Sequence, residues 1–576
     1  MPTSPTRPRH LLSLLIAAVS MVALVAAPSA SASGAQISVA QDDVQLLTNP
    51  SGALQEFRHL GVSTVRFTMR WSTIAPSPNS RVKPRFNASD PNAYPARNWG
   101  FYDTIVRDAA ADGIQLMFVP TGFAPLWAQG ANPGKYGAKY NVEFAFMPSA
   151  SGFGQFVHAL GVRYSGHFRP PGSRSPLPAV HTWEIYNEAN FGEDLAPQAI
   201  NHSNVLYSPV MYRALANAAW GALHATGHGA DKILIGALAA RGAHIPSKTR
   251  PGLPGTYGEM TPLEFIRELY CVDPSYGPYR GSAAAIRKCP TTAGATRRFR
   301  SQNPVLFGAT GWSIHPYPLS NDGNAPPTKT NYHNPNFVAF SQIPNMAKVL
   351  DRTQRVYGSG KRFPIWNTEY GYITNPPNRS ERFVSPAVQA YYDNWAEYLS
   401  WRNPRIVSTM QYLLVDPNPS IGTPECGGFA SGLIFYGTRP TTSGCSGYTP
   451  GAPKPAYDAY RLPIFLPTPS AHTGGGVTVW GCVRPAHYAV LDLHTPQVAN
   501  IQFQRGSKGS WLTVASVRTS IASCYFNTSV RLPASGSVRL SWSYPTNDPL
   551  LEPPAVGGYT NPLAPVTSRS VAVKVS

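Results

Sequence analysis

Charge is scarce in this chain. Only 13% of its 576 residues are Asp, Glu, Lys or Arg, and although Lys and Arg outnumber the acids by 48 to 29, giving +19, they are scattered. Without a dense basic run there is no nucleic-acid footprint, and none is expected. No C-x-x-C pair suggests zinc, and no His/Asp/Glu cluster has metal-ligand spacing, so neither metal nor cofactor is expected. No G-x-S-x-G elbow supports a serine esterase. No glycine fingerprint follows the first strand, which disfavours a dinucleotide fold. No solenoid-length repeat is present, and beyond the N-terminus no apolar run is long enough to span a bilayer.

What is abundant is aromatic and apolar. Aromatic residues make up 11% and hydrophobic ones 43%, a composition suited to a folded protein that handles neutral ligands on aromatic surfaces. The length suggests a large domain followed by a small one. At the N-terminus Arg7 and Arg9 precede an apolar run from Leu11 to Ala27 and then Ala30-Ser31-Ala32, the pattern of a secretory signal peptide cleaved after Ala32. An uncleaved anchor is the alternative. An exported protein with six cysteines is expected to form disulfides, and locality pairs Cys271 with Cys289, Cys426 with Cys445 and Cys482 with Cys524.

From residue 36 to 465 a strand-helix rhythm repeats. Strands are expected over 36–44, 63–69, 114–120, the run ending at Glu188, 232–238, 305–313, the run ending at Glu369, and 406–415. Helices are expected over 51–60, 99–112, 152–164, 210–225, 262–270, 340–357, 385–401 and 455–460. Eight alternations predict a (β/α)₈ barrel, whose reactive groups sit where strands end. A linker over 467–476, containing Gly474-Gly475-Gly476, leads to short strands with no helix pattern between them, read as a β-sandwich over 477–576. Residues 547–565 are Pro-rich and read as an irregular excursion.

Two strand ends carry the chemistry: Trp183-Glu184-Ile185-Tyr186-Asn187-Glu188-Ala189-Asn190 and Trp366-Asn367-Thr368-Glu369-Tyr370-Gly371. A lone glutamate there is more often a structural ion-pair partner. Two of them at one barrel mouth, each beside Asn and aromatics, point instead to shared acid and base work. Glu184 is the decoy, expected deeper in the barrel and nearer packing than solvent. Arg66 would hold a neighbouring carboxylate ionised, and His315 and Tyr317 follow the sixth strand. Trp71, Trp127 and Trp312 could serve as stacking faces for a ligand, Trp127 foremost, with packing as the plainer role; His181 is expected in the core.

The Asn187-Glu188 pair and the later Thr368-Glu369-Tyr370-Gly371 resemble the strand-four and strand-seven glutamate motifs of clan A glycoside hydrolases, nearest to families 5 and 39. The resemblance implies that Glu188 is the general acid/base and Glu369 the nucleophile of a retaining enzyme acting on a β-linked carbohydrate. It implies that Asn187 meets the sugar 2-hydroxyl and that Arg66, His315 and Tyr317 line the site. The clan often carries Trp at the end of strand eight; here Gln411-Tyr412 stands there, so Tyr412 is the candidate at that position. The expectation is a secreted, monomeric enzyme. Rival readings are a carbohydrate-binding protein on a degenerate barrel, a tail that binds sugars through Trp480 and Trp511, and a binder of anionic polymers.

Overall fold

The computed structural model describes residues 36–130, 143–202, 204–242, 255, 257–318, 323–419, 428–438, 448–519, 524–545 and 565–576. The signal-peptide reading, the Cys426–Cys445 pairing and most of the Pro-rich excursion lie outside the described residues.

Eight parallel strands form the first sheet: β1 (Ile37–Gln41), β2 (Thr64–Arg70), β3 (Gln115–Thr121), β4 (Thr182–Glu184), β5 (Lys232–Ala239), β6 (Gly311–His315), β7 (Ile365–Asn367) and β8 (Ser408–Tyr412). Their spatial order is β8-β1-β2-β3-β4-β5-β6-β7. Closure comes at Ile365, whose N–H donates to Arg405 O at 2.6 Å and whose carbonyl accepts from Val407 at 3.0 Å. This closes a (β/α)₈ barrel. A main helix follows each strand, with shorter helices in some of the connections: α1 (Pro50–His59), α2 (Gly100–Ala111), α3 (Ala150–Arg163), α4 (Ser208–Ala225), α5 (Pro262–Leu269), α6 (Ile343–Val356), α7 (Pro386–Arg402) and α8 (Pro455–Arg461).

The helix starts follow local chemistry. Asn49, Ser149 and Ser385 each accept a backbone N–H at the first turn of α1, α3 and α7, and proline sits in the first turn of α1 and α7. Gly61 ends α1 at φ +81°, and a Cβ there would lie 2.4 Å from the backbone of Arg484, so the turn also sets a close approach to the C-terminal domain.

Two expectations for the barrel need correcting. Residues 304–308 form a short helix, and the sixth strand begins only at Gly311. The apolar run Val305-Leu306-Phe307 fits a buried strand or helix equally, and Pro304 at the first turn favours the helix. His181 is not in the core: its side chain is 62% exposed and bonds Asp231 at 2.9 Å. It precedes β4 at the open bottom of the barrel rather than pointing inward.

The C-terminal domain has two sheets. One comprises β9 (Ile464–Phe465), β11 (Gly476–Cys482) and β14 (Tyr525–Arg531). The other is built on β10 (Ser470–Ala471), β12 (Val498–Arg505), β13 (Leu512–Arg518), β15 (Gly536–Trp542) and β17 (Val571–Val575), with the two-residue β16 (Val566–Thr567) at its side. Leu540 of one sheet reaches Gly481 of the other, and Val477, Val479, Ile501, Phe503 and Val538 fill the space between. An unexpected helix, α9 (Ala486–Leu493), lies between β11 and β12. Disulfides join Cys271 to Cys289 and Cys482 to Cys524.

The two domains share one continuous core. Arg484, on the C-terminal side, bonds both oxygens of Glu397 on α7, at 2.8 and 2.7 Å, and Tyr525 donates to the same carboxylate at 2.6 Å. Tyr488 and Tyr544 donate to Val62 O and His59 O at the end of α1. Arg58 lies 4.1 Å over the Tyr488 ring and ion-pairs with Asp492. Trp480 is fully buried among Tyr398, Trp401, Phe465 and Tyr525, so it is a packing residue and not a sugar platform. Trp511 stacks under Arg539 at 4.1 Å.

Candidate active site

The mouth is assembled around Arg66. It sits mid-β2 with no solvent exposure, so its charge must be met from within. Its Nε donates to Glu184 at 2.5 Å, one Nη to Gln41 and Glu369 at 2.5 Å each, and the other to Asn187 at 2.8 Å. Burial alone would raise Glu184, but Arg66, His315 and a hydrogen bond from Ser313 outweigh it and hold the carboxyl below its ordinary value. Glu184 thus pins Arg66 from behind, and Glu369 receives the guanidinium from in front.

Glu188 is positioned by backbone. β4 ends at Glu184, and the loop turns through Tyr186 at φ +70° and Glu188 at φ +35°, both sparsely populated conformations for residues other than glycine. The turn is held on either side. Asn187 N–H donates to Thr121 Oγ1 at 3.0 Å, and Glu188 N–H to Ala237 O at 2.9 Å. That carbonyl is presented by a bulge in β5, where the register with β6 shifts between Ile235 and Leu238. Gly236 makes the bulge possible: its φ is +110°, and a Cβ would lie 2.5 Å from Ser313 O.

His315, at the end of β6, stands between the acids. Its Nδ1 is 2.7 Å from Glu188 Oε1 and 3.6 Å from Glu369 Oε2. Burial pushes it down to about 4, although Glu369 opposes this. Tyr317 donates to Glu369 Oε2 at 3.1 Å. One oxygen of each glutamate and a ring nitrogen of His315 all lie within 4.8 Å of one another. Among the described residues this is the one trio spaced to hold a metal ion.

The two carboxyls differ in surroundings. Burial pushes Glu188 up to about 7, with Arg66 opposing from a distance and Glu259 adding to the rise. Burial also raises Glu369, but here His315 and the directly bonded Arg66 oppose it. Both side chains keep a little exposure, 15% and 12%, toward a cavity of about 540 Å³. Its walls include Phe191, Arg241, Tyr317, Phe383, Tyr412 and Phe429. Tyr317, Tyr412 and Phe429 meet edge to face, with centroids 5.1–6.2 Å apart.

The structure therefore gathers Glu188, Glu369, Arg66, Asn187, His315, Tyr317 and Tyr412 at one mouth. It does not bring Trp127 there. That ring packs edge-on against Trp71 and Phe86, and its Nε1 is spent on Pro76 O at 3.0 Å. Trp71 and Trp312 are core residues at 1% and 0% exposure. Gln41 and Phe429 are additions that sequence reasoning missed. Gln41 lies at the end of β1, so the strand-end rule could have found it; Phe429 comes from an irregular segment with no such signal.

No family model and no curated protein matches the sequence. Among solved structures, the chain is similar to a family 39 glycoside hydrolase from Bacteroides cellulosilyticus WH2 (13% identity, 87% of this chain and 81% of that chain, TM-score 0.40). It is also similar to a glucosidase from Croceicoccus marinus (11%, 87% and 94%, 0.42) and to an endo-β-1,4-mannanase from Thermotoga petrophila (10%, 94% and 98%, 0.37). Likeness at this level carries no functional weight; the chemistry is read from the residues at the mouth.

Proposed function

We propose that the chain is a secreted retaining glycoside hydrolase of the clan A type, acting on a β-linked oligo- or polysaccharide. Residues 1–32 would be the signal peptide, 33–466 the catalytic barrel and 477–576 an accessory domain. The observation that carries this reading is the approach of the two acids. One oxygen of each lies within 4.8 Å of one oxygen of the other, which supports a close pair of about 5–5.5 Å, as direct attack by a carboxylate uses, over the roughly 6.5–9.5 Å that admits a water between.

The roles follow from the surroundings. Glu369, bonded to Arg66 and Tyr317, is the carboxylate better able to stay charged, and it attacks the anomeric carbon as the glycosidic C–O bond breaks. Glu188, held protonated near neutrality by burial, gives its proton to the departing oxygen. In the second step Glu188 takes a proton from water, the water oxygen bonds the anomeric carbon, and Glu369 leaves. Asn187 gives its carbonyl oxygen to Arg66, which orients its amide N–H groups toward a sugar hydroxyl. Tyr412, with Phe429, offers the aromatic face.

A panel of aryl β-glycosides and polysaccharides, run with E369Q as control, tests the activity. E188A should keep turnover on substrates with good leaving groups, and azide should accelerate it to give the β-glycosyl azide. An inverted azide from E188A, with the β-azide from E369A, would swap the two roles. Sugar binding without turnover would leave a carbohydrate-binding barrel instead. N-terminal sequencing of exported protein should begin at Ser33.

A further inference from the structure

The larger sheet of the C-terminal domain turns one face to the core and the other to solvent. Its strands run β10-β17-β15-β12-β13. Alternation decides which side chains point outward. On β12, Ala499, Ile501 and Phe503 are buried, so Asn500, Gln502 and Gln504 belong to the outer face. Residues paired across strands share a face. Gln502 pairs with Arg539 of β15, Asn500 with Ser516 of β13, and Val498 with Arg518. On β17, Ala572 pairs with Ser537, and Lys574, two residues on, shares that face. The outer face therefore carries Arg518, Arg539 and Lys574. Nothing nearby in sequence offsets them: no Asp or Glu occurs from residue 493 to 547. Among the described residues of this domain the one acid is Asp492, which ion-pairs with Arg58.

The register sets the three cations on a diagonal. Lys574 falls opposite Ser535, one step beyond the Gly536–Val573 pair, and Arg539 comes four residues later on β15. Arg518 falls level with Ser543, a further four residues along. At about 3.4 Å per residue and 4.8 Å per strand, successive Cα atoms on this diagonal are roughly 15 Å apart. The central cation is fixed in place. Its guanidinium lies 4.1 Å over the Trp511 ring, and its Nε donates to Gln502 Oε1 at 2.9 Å. Its terminal nitrogens have no partner among the described residues. Ser516 donates to Asn500 Oδ1 at 2.8 Å. With their oxygens engaged, Asn500 and Gln502 have amide N–H groups to offer. Between the cations, then, the face is made of hydrogen-bond donors.

We propose that this face binds a carboxylated polysaccharide, a chain of uronic-acid type. A carboxylate matches the planar fork of an arginine held flat by Trp511 and Gln502. The amides and hydroxyls between the cations suit sugar hydroxyls. Cations so widely spaced fit charges carried one to a sugar, not a duplex with one charge per about 1.7 Å of axis. The contact is independent of what the barrel cleaves, since no residue of the mouth takes part.

Affinity electrophoresis of the full chain in gels containing polygalacturonate tests this. At about 0.15 M salt the Debye length is about 8 Å, so direct contacts dominate the signal. The wild type should be retarded, and R518Q/R539Q/K574Q should raise Kd by about tenfold or more. The triple R169Q/R174Q/R298Q has the same net charge, drawn from exposed barrel arginines, and should bind as the wild type does. R539K keeps the charge but not the fork, and should weaken binding by about threefold. Four results overturn the proposal: no retardation of the wild type; unchanged binding in the face triple; equal loss in both triples; or tighter binding to dextran sulfate, duplex DNA or phosphatidylserine vesicles than to polygalacturonate. If the face triple does not fold, the exposed single substitutions R518Q and K574Q decide, each expected to weaken binding by about twofold.

Discussion

Two buried arginines, each paired with glutamate, serve opposite ends in this molecule. Arg484 meets Glu397 at the domain interface, where Tyr525 also donates and no oxygen of the carboxylate is left wanting. Arg66 meets Glu184 behind and Glu369 in front, and Glu369 is left 12% exposed toward a cavity. The interface pair is saturated and inward. The mouth pair is held on one side and open on the other, so the structure restrains a carboxylate there without using it up. Stability and chemistry draw on the same ion pair, and the difference lies in which lone pairs remain for a ligand.

The comparison breaks most plainly at Glu369. E369A should lower turnover of an aryl glycoside by about 10⁴-fold or more, because no covalent intermediate can form, while far-UV circular dichroism stays that of the wild type. Retained turnover would move the site elsewhere. The mirror experiment is E397A, which strands the buried Arg484. It should cost about 3–5 kcal/mol in chemical denaturation, with kcat per folded molecule unchanged. Loss of activity without loss of stability at this position would erase the contrast.

Smaller effects sharpen it. Y317F removes a hydrogen bond to a charged acceptor, worth about 1.5–3 kcal/mol, and should slow kcat by roughly 10- to 100-fold. A shift in KM alone would show that Tyr317 binds substrate without steadying Glu369. With Glu188 in the proposed role of acid, the pH profile follows from burial, which pushes its carboxyl up to about 7. kcat/KM should fall as pH rises through about 7, and E188A on an activated substrate should lack that limb. The linked stability has the same sign. A carboxyl raised on folding binds its proton more tightly in the native state, so this contribution is present at low pH and lost as pH climbs from about 4.5 toward 7. Least affected should be W127A, whose ring lies outside the cavity. It should change kcat/KM by roughly twofold or less, and a large fall in KM-linked binding would return Trp127 to the substrate.

Much of this was legible because barrel chemistry sits at strand ends. Position at strand ends was enough to nominate Glu188 and Glu369, the clan A resemblance added Arg66, His315, Tyr317 and Tyr412, and the structure gathers all six at the mouth. Trp127 was nominated by chain position as well, but a loop residue's direction depends on what it packs against, and Trp71 and Phe86 claim its faces. Helix α9 escaped because eight residues rich in Ala, Val and Leu give too few turns for helical spacing to separate from strand alternation. The β5 bulge that offers its carbonyl to Glu188 left a trace in Gly236, but a glycine within a strand marks a bulge only when its neighbours are known.

The stretch between the domains has a consequence for proteolysis. Gly474 and Gly475 form a turn, yet Ser470–Ala471 just before it pairs with β17, and Ile464–Phe465 pairs with β11 beyond it. A protease that nicks the glycines would therefore cut the chain without releasing the tail. The two fragments should co-migrate under native conditions and separate only in denaturant, as the halves of one fold rather than a catalyst and its detachable passenger.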